Sequence, residues 1–220
     1  MRMLLTAVAF LLGVAMTIRA QSQQPALQGL PVYGVTLSGS PDNPVVENHS
    51  GKTIIGYVFE TADQNGRASS YHQLLVQSAQ PTGIPDGGSL YAIGMPVNSN
   101  VPNAGRVRRD GQPIVRAILQ NVIFADGQFV GVDEHGVFER LSMEVKATTE
   151  VGILAKIHAW DQVEAFAQLP LGPPHGGEAL LLNSFRRMAG PILLGVRRTK
   201  GEAAAAQLAE LYSSLPALWK

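Results

Sequence analysis

The sequence predicts an α+β protein: an antiparallel β-sandwich over residues 31–135, followed by a helical region over 136–220 packed on it. Three observations carry that prediction. Before Gly136, apolar residues fall in short alternating runs, punctuated by Gly, Pro, Asn and Ser about every ten residues. After Gly136, apolar residues return at helical spacing, and Ala, Leu and Glu become frequent. Apolar residues make up 45% of the chain and charged residues 15%, which suits a chain with a buried core and excludes a disordered one.

The first strand is expected over Val32–Leu37, with Ser38–Pro44 as a loop. Val45–Asn48 and Thr53–Glu60 follow as strands, rich in the β-branched and aromatic residues that suit a half-buried pleated surface. Asn48–Lys52 and Asp63–Gly66 are turns, because Asn and Gly tolerate positive φ. Tyr71–Gln77 returns as a strand. The stretch Gln80–Asp110 holds Pro81, Pro85, Pro96 and Pro102 and carries only a short expected strand near Ser89–Ile93. Ile114–Phe124 is a long strand, and Phe129–Val132 pairs back on it across Ala125–Gln128. The Asp126-Gly127 pair between two apolar runs is a strong hairpin signal. About seven short strands with regular turns suggest a sandwich.

One stretch resembles a known family. Val45-Val46-Glu47-Asn48-His49-Ser50-Gly51-Lys52-Thr53-Ile54-Ile55-Gly56-Tyr57-Val58-Phe59, with Asp63 and Gly66 after it, is similar to the strand-turn-strand of extracytoplasmic FxLyD and LEA-type domains. The shared pattern is an apolar strand, Asn-x-Ser, a basic residue and a second apolar strand. The resemblance implies an Ig-like sandwich and no catalytic residues. It covers a small part of the chain and does not extend to the helical half.

In that half, Asp133 and Glu134 suit a helix start, where the helix dipole favours negative charge. Phe138, Leu141, Val145 and Thr148 fall on one helical face, and Met143, Ala147, Val151 and Leu154 on an adjacent one. The width of this stripe predicts a helix to about Ile157 packed on a substantial surface, with Gly152 as a soft point. Pro170, Pro173 and Pro174 mark a loop. Glu178–Met188 is expected as a second helix, with Leu181, Phe185 and Met188 inward. Gly201–Leu215 is expected as a third, with Ala204, Leu208, Leu211 and Leu215 inward, stopped by Pro216.

The N-terminus predicts export. Met1-Arg2-Met3 precedes an apolar run from Leu4 to Met16, the pattern of a signal peptide with a core of roughly 7–15 apolar residues. The run is shorter than the roughly 20 residues a membrane span needs. Cleavage is expected after Ala20, leaving residues 21–30 as a disordered mature N-terminus. The expected location is therefore extracytoplasmic, periplasmic or secreted. With no cysteine in the chain, neither a lipid anchor on Cys nor a disulfide contributes. The precursor has zero net charge. Losing Arg2 and Arg19 leaves a formal charge of about −2, which offers nucleic acid no attractive field.

Candidate chemistry is sparse. Asp126, Asp133 and Glu134, with His135 and Glu139 nearby, form the densest polar cluster, and Ca²⁺ favours about six to eight oxygens. Their spacing does not match an EF-hand, and a hairpin turn and a helix start account for the same acids, so no metal site is assigned. His49, His72, His135, His158 and His175 do not form the helical His–Glu pattern of a zinc protease, and no Gly-x-Ser-x-Gly elbow occurs. Arg108-Arg109, Arg186-Arg187 and Arg197-Arg198 read as solvated faces or as contacts for an acidic partner. Trp160 and Trp219 are the two tryptophans a carbohydrate site could use, and Asn48-His49-Ser50 fits a glycosylation sequon.

The expectation is a non-catalytic exported binding or structural module, acting on an unknown protein or envelope component. It carries no catalytic residue and no cofactor. The alternative is an exported hydrolase with its site in the Pro/Gly-rich loop 80–110. A pocket gathering His72 or His135 with carboxylates favours the second; a flat surface with an open sheet edge favours the first.

Overall fold

The computed structural model describes residues 26–77, 83–91, 108–109, 112–169 and 177–220. The expected signal segment, most of loop 80–110 and the proline loop after residue 169 lie outside the described residues. The architecture is α+β. Strands fill the first half, and helices fill the second.

The strands are β1 (Leu27–Gln28), β2 (Val35–Ser40), β3 (Asn43–Asn48), β4 (Ile54–Asp63), β5 (Ala68–Leu74), β6 (Ser89–Tyr91), β7 (Arg108–Arg109), β8 (Gln112–Phe124) and β9 (Phe129–Gly131). The larger sheet has the order β1-β8-β4-β5, with β7 and β9 also pairing to β8; the smaller has the order β2-β3-β6. All pairings are antiparallel except β1 with β8.

Four expectations shift. Leu27 and Gln28, expected within a disordered N-terminus, form β1 and pair in parallel with β8. The strand expected over Tyr71–Gln77 starts at Ala68 and gives way to a 3-10 helix at Leu75–Gln77. Val32 and Tyr33 belong to a 3-10 helix opened by Pro31, and β2 begins only after Gly34. The loop expected over Ser38–Pro44 shrinks to a two-residue turn, because Ser40 pairs Asn43 and Gly39 pairs Pro44. Glu47 supports this hairpin by accepting hydrogen bonds from the Thr36 and Ser38 hydroxyls.

The centre of the larger sheet, β4 and the C-terminal half of β8, is buried on both faces, and breaks in pairing decide which side chain goes where. Register shifts interrupt the β4–β8 ladder between Ile54 and Gly56 and between Val58 and Phe59. An extra residue in one strand reverses the alternation locally. Ile54, Tyr57 and Phe59 therefore join Val35, Val46 and Leu90 of the small sheet in one core. Ile55, Val58 and Ile123 point to the other side, into a core shared with the helices. The result is three layers: small sheet, large sheet and helices.

The helices are α1 (Val137–Lys156), α2 (Trp160–Ala167), α3 (Glu178–Lys200) and α4 (Glu202–Ser213). Helix α1 matches its sequence pattern closely. Leu141, Val145, Ala147, Thr148, Val151 and Ala155 are buried, and so is Glu144. Gly152 is a contact point and not a soft point. A Cβ there would lie 2.5 Å from the Ser213 nitrogen and 2.6 Å from Tyr212 Cβ, so its absence lets α4 approach α1.

Helix α3 runs on past the expected end at Met188. It continues through Pro191 to Lys200. Pro191 removes one N–H and crowds the preceding turn. Burial of Ala189 and Leu193 on either side, against the main core, offsets that loss. The inward faces are also rotated from expectation. Leu182, Phe185, Ala189 and Leu193 are buried in α3, whereas Met188 is 47% exposed. In α4 Ala205, Ala209 and Tyr212 are buried, Leu208 and, beyond the helix, Leu215 are half-buried against the main core as expected, and Ala204 and Leu211 are half-buried.

Candidate functional site

Helix α4 stops at Ser213, and Pro216 prevents a helical continuation. The chain end then turns back to the β8–β9 hairpin. The Trp219 N–H donates to the Gly127 carbonyl at 3.0 Å, and the Phe129 N–H donates to the Trp219 carbonyl at 2.8 Å. The Trp219 indole N–H donates to the Asp126 carbonyl at 3.1 Å. Gly127 is needed here twice over. Its φ is +88°, and a Cβ would meet the Ala217 carbonyl oxygen at 2.3 Å.

This returning segment runs alongside α1 without closing against it. Between them lies a groove of about 610 Å³. Val145, Ile153 and Leu154 of α1 form one wall, and Leu215 and Leu218 form the other. Val145 belongs to the sheet–helix core, and Leu154, Leu215 and Leu218 pack against it. The groove is thus a place where the main core reaches the surface. Ile153 remains 49% exposed.

Two charged side chains stand on the rim. Glu150 is committed, since its Oε2 accepts from Arg186 Nε at 2.9 Å and Nη2 at 2.7 Å. Lys146 is held loosely, with its Nζ 3.9 Å from Glu178 and both side chains about two-thirds exposed. Ser142, also on the lining, donates its hydroxyl proton to the Phe138 carbonyl at 2.8 Å.

The acidic cluster is not brought together as a cage. Asp126 pairs with Lys52 at 2.5 Å, and its Oδ1 accepts from the Gln128 N–H. Asp133 pairs with Lys220 at 2.7 Å, and its Oδ1 accepts from the Phe138 N–H at the start of α1. The Lys52 ammonium holds the Asp126 carboxyl below its ordinary value, and the Lys220 ammonium does the same for Asp133. Glu134 and His135 lie in a 3-10 helix leading into α1. No group of three or more metal-ligating side chains occurs among the described residues.

His72 has a partner that the sequence reading missed. Its Nε2 lies 3.3 Å from Glu144 Oε2, within ion-pair distance though not in hydrogen-bond geometry. The Glu144 side chain is only 2% exposed, and that of His72 27%. His72, Val58 and Asn121 stand in register across β5, β4 and β8. Asn121 is buried and donates from Nδ2 to the Val132 carbonyl at 2.9 Å. The available signal was a charge at position 144, three residues after Leu141 and four before Thr148, inside the apolar stripe.

Several of the remaining candidates are engaged in structure. The Asn48 amide is buried and donates to the Lys52 and Ile84 carbonyls at 2.7 and 2.8 Å, so the nitrogen a glycan needs is already bonded. Arg187 donates to the Leu169 carbonyl, and Arg197 stacks 4.2 Å from the Trp160 ring while bonding Glu202. His158 sits in the left-handed region at φ +58°, 3.7 Å from Glu202. His49 is exposed on the β3–β4 turn, and His175 lies outside the described residues.

Against models of known families, curated proteins and solved structures, the chain gives no match. The resemblance at residues 45–66 thus rests on its local pattern alone. No described helix is long and apolar enough to cross a membrane.

Proposed function

We propose that this protein is an exported, non-catalytic binding module whose ligand site is the groove between α1 and the C-terminal segment. The observation that carries the reading is the groove's lining. It joins the main core to the surface through Leu154, Leu215 and Leu218 and leaves Ile153 uncovered. Concave apolar sites of about 300–1,000 Å³ suit small-molecule burial. The leader-like residues 1–20 support an extracytoplasmic location.

A fluorescence titration with a neutral apolar probe tests the binding reading. The expected result is saturable uptake at one probe per chain, abolished by Ile153→Glu with an unchanged melting temperature. Because Ile153 is half exposed, that change leaves the core intact. Probe uptake that survives Ile153→Glu contradicts the reading. Mass spectrometry of the protein from its host tests the export part, and a mature N-terminus near Gln21 is expected.

The pairing of His72 with Glu144 favours a second reading, an exported hydrolase in which Glu144 orients His72 as a general base. That reading predicts hydrolysis of activated esters that disappears in His72→Ala. The binding reading predicts equal background rates for both proteins.

A further inference from the structure

We infer that the groove takes a single-chain fatty acid, with the chain along α1 and the carboxylate at Lys146; this rests on the groove being the ligand site. The groove's shape comes from its walls. Its lining on α1 runs from Ser142 to Leu154, about 18 Å at the helical rise per residue. A helix on one side and the non-helical chain end on the other leave an elongated groove along α1, which suits a linear ligand better than a fused ring. The end near Ile153, Leu154 and Leu215 is apolar, where the chain leaves α4 beside Gly152.

Charge is asymmetric along that groove. Glu150 is neutralised by a two-nitrogen contact from Arg186. Lys146 stands toward the Ser142 end and is held only at 3.9 Å by an exposed Glu178. An incoming carboxylate can therefore displace Glu178 from Lys146 without breaking a buried pair. The complement to this surface is an apolar chain with one anionic end.

The experiment displaces a neutral apolar probe from the full chain with dodecanoate, octanoate and dodecanol in parallel, using wild type, Lys146→Gln and Ile153→Glu. Dodecanoate is expected to displace the probe at concentrations on the order of a hundredfold lower than octanoate, since it buries four more methylenes and each contributes to affinity. It should also outcompete dodecanol by about threefold to fivefold, the scale of an exposed ion pair. Lys146→Gln should remove the preference over dodecanol and retain the chain-length dependence.

Probe binding with no preference for the carboxylate overturns the ligand class while leaving the groove as the site. No probe binding at all overturns both. Association with phosphatidylglycerol vesicles without one-to-one uptake of monomeric dodecanoate assigns the face to a membrane and overturns the proposal. So does a dimer that dissociates on Ile153→Glu, which assigns the face to a second copy.

Discussion

Glu144 is the residue whose role the sequence hid most completely. A glutamate in a helix ordinarily faces water, yet this one is buried against the sheet beside His72. Removing one member of such a pair leaves the other with neither partner nor water. His72→Ala should therefore destabilise the protein by about 1–3 kcal/mol in denaturant melts. The double variant His72→Ala with Glu144→Leu should recover part of that loss, because an apolar group then faces the gap. A double variant no more stable than His72→Ala would contradict the pairing. The glycines make a second residue-scale case. Gly127→Val must fit a side chain at φ +88° against the Ala217 carbonyl, and Gly152→Ala must push α4 away from α1. Each should cost about 1–3 kcal/mol. The turn at Gly127 was legible in its Asp-Gly pair. The role of Gly152 was not, because the segment it touches lies about sixty residues later.

At the scale of elements, the chain end is held to the hairpin it meets. Lys52 and Lys220 each bind an aspartate at opposite ends of the β8–β9 hairpin, and Trp219 bridges to Gln128 between them. Both aspartates are held below their ordinary value by these lysines. Such a group stabilises the fold fully above the unfolded aspartate value, about 3.9. That stability is lost as pH falls through the depressed folded value. Thermal melts across about pH 5 to pH 2 should then fall more steeply for wild type than for Lys52→Ala with Lys220→Ala. The difference at neutral pH should be small, at most about 1 kcal/mol, because Asp126 is half exposed and salt screens such pairs. Equal slopes would show that the clasp contributes nothing. The bounds of α1 were legible because two adjacent stripes fix its phase over five turns. Helix α3 was misread at Pro191, where tertiary burial of Ala189 and Leu193 outweighs a local breaker.

Across the whole molecule, the larger sheet is the middle layer, and both its faces depend on neighbours. Its helix-side residues Ile55, Val58, Leu74 and Ile123 share one cluster with Leu141, Val145 and Tyr212. Leu141→Ala should cost about 2–5 kcal/mol, the range for a buried leucine that leaves a cavity. A chain ending at residue 136 should aggregate, since it exposes that whole face. A soluble fragment with the full-length melting temperature would contradict the layering. The α+β class and the succession of strands followed by helices could be read from periodicity, whereas β1, β7 and the short helix α2 could not. The groove could not, because its walls come from residues 142–154 and 215–218, joined only when the chain end returns to the hairpin.

The most direct test of the ligand site is a map of where a bound chain lies. Methyl resonances of isotope-labelled protein, followed during titration with dodecanoate, provide it. The account predicts saturable shifts at Val145, Ile153, Leu154, Leu215 and Leu218, with Ile84, Leu90 and Leu119 in the inter-sheet core unmoved. Shifts centred on the methyls beside His72 and Glu144, or spread evenly through both cores, would contradict it.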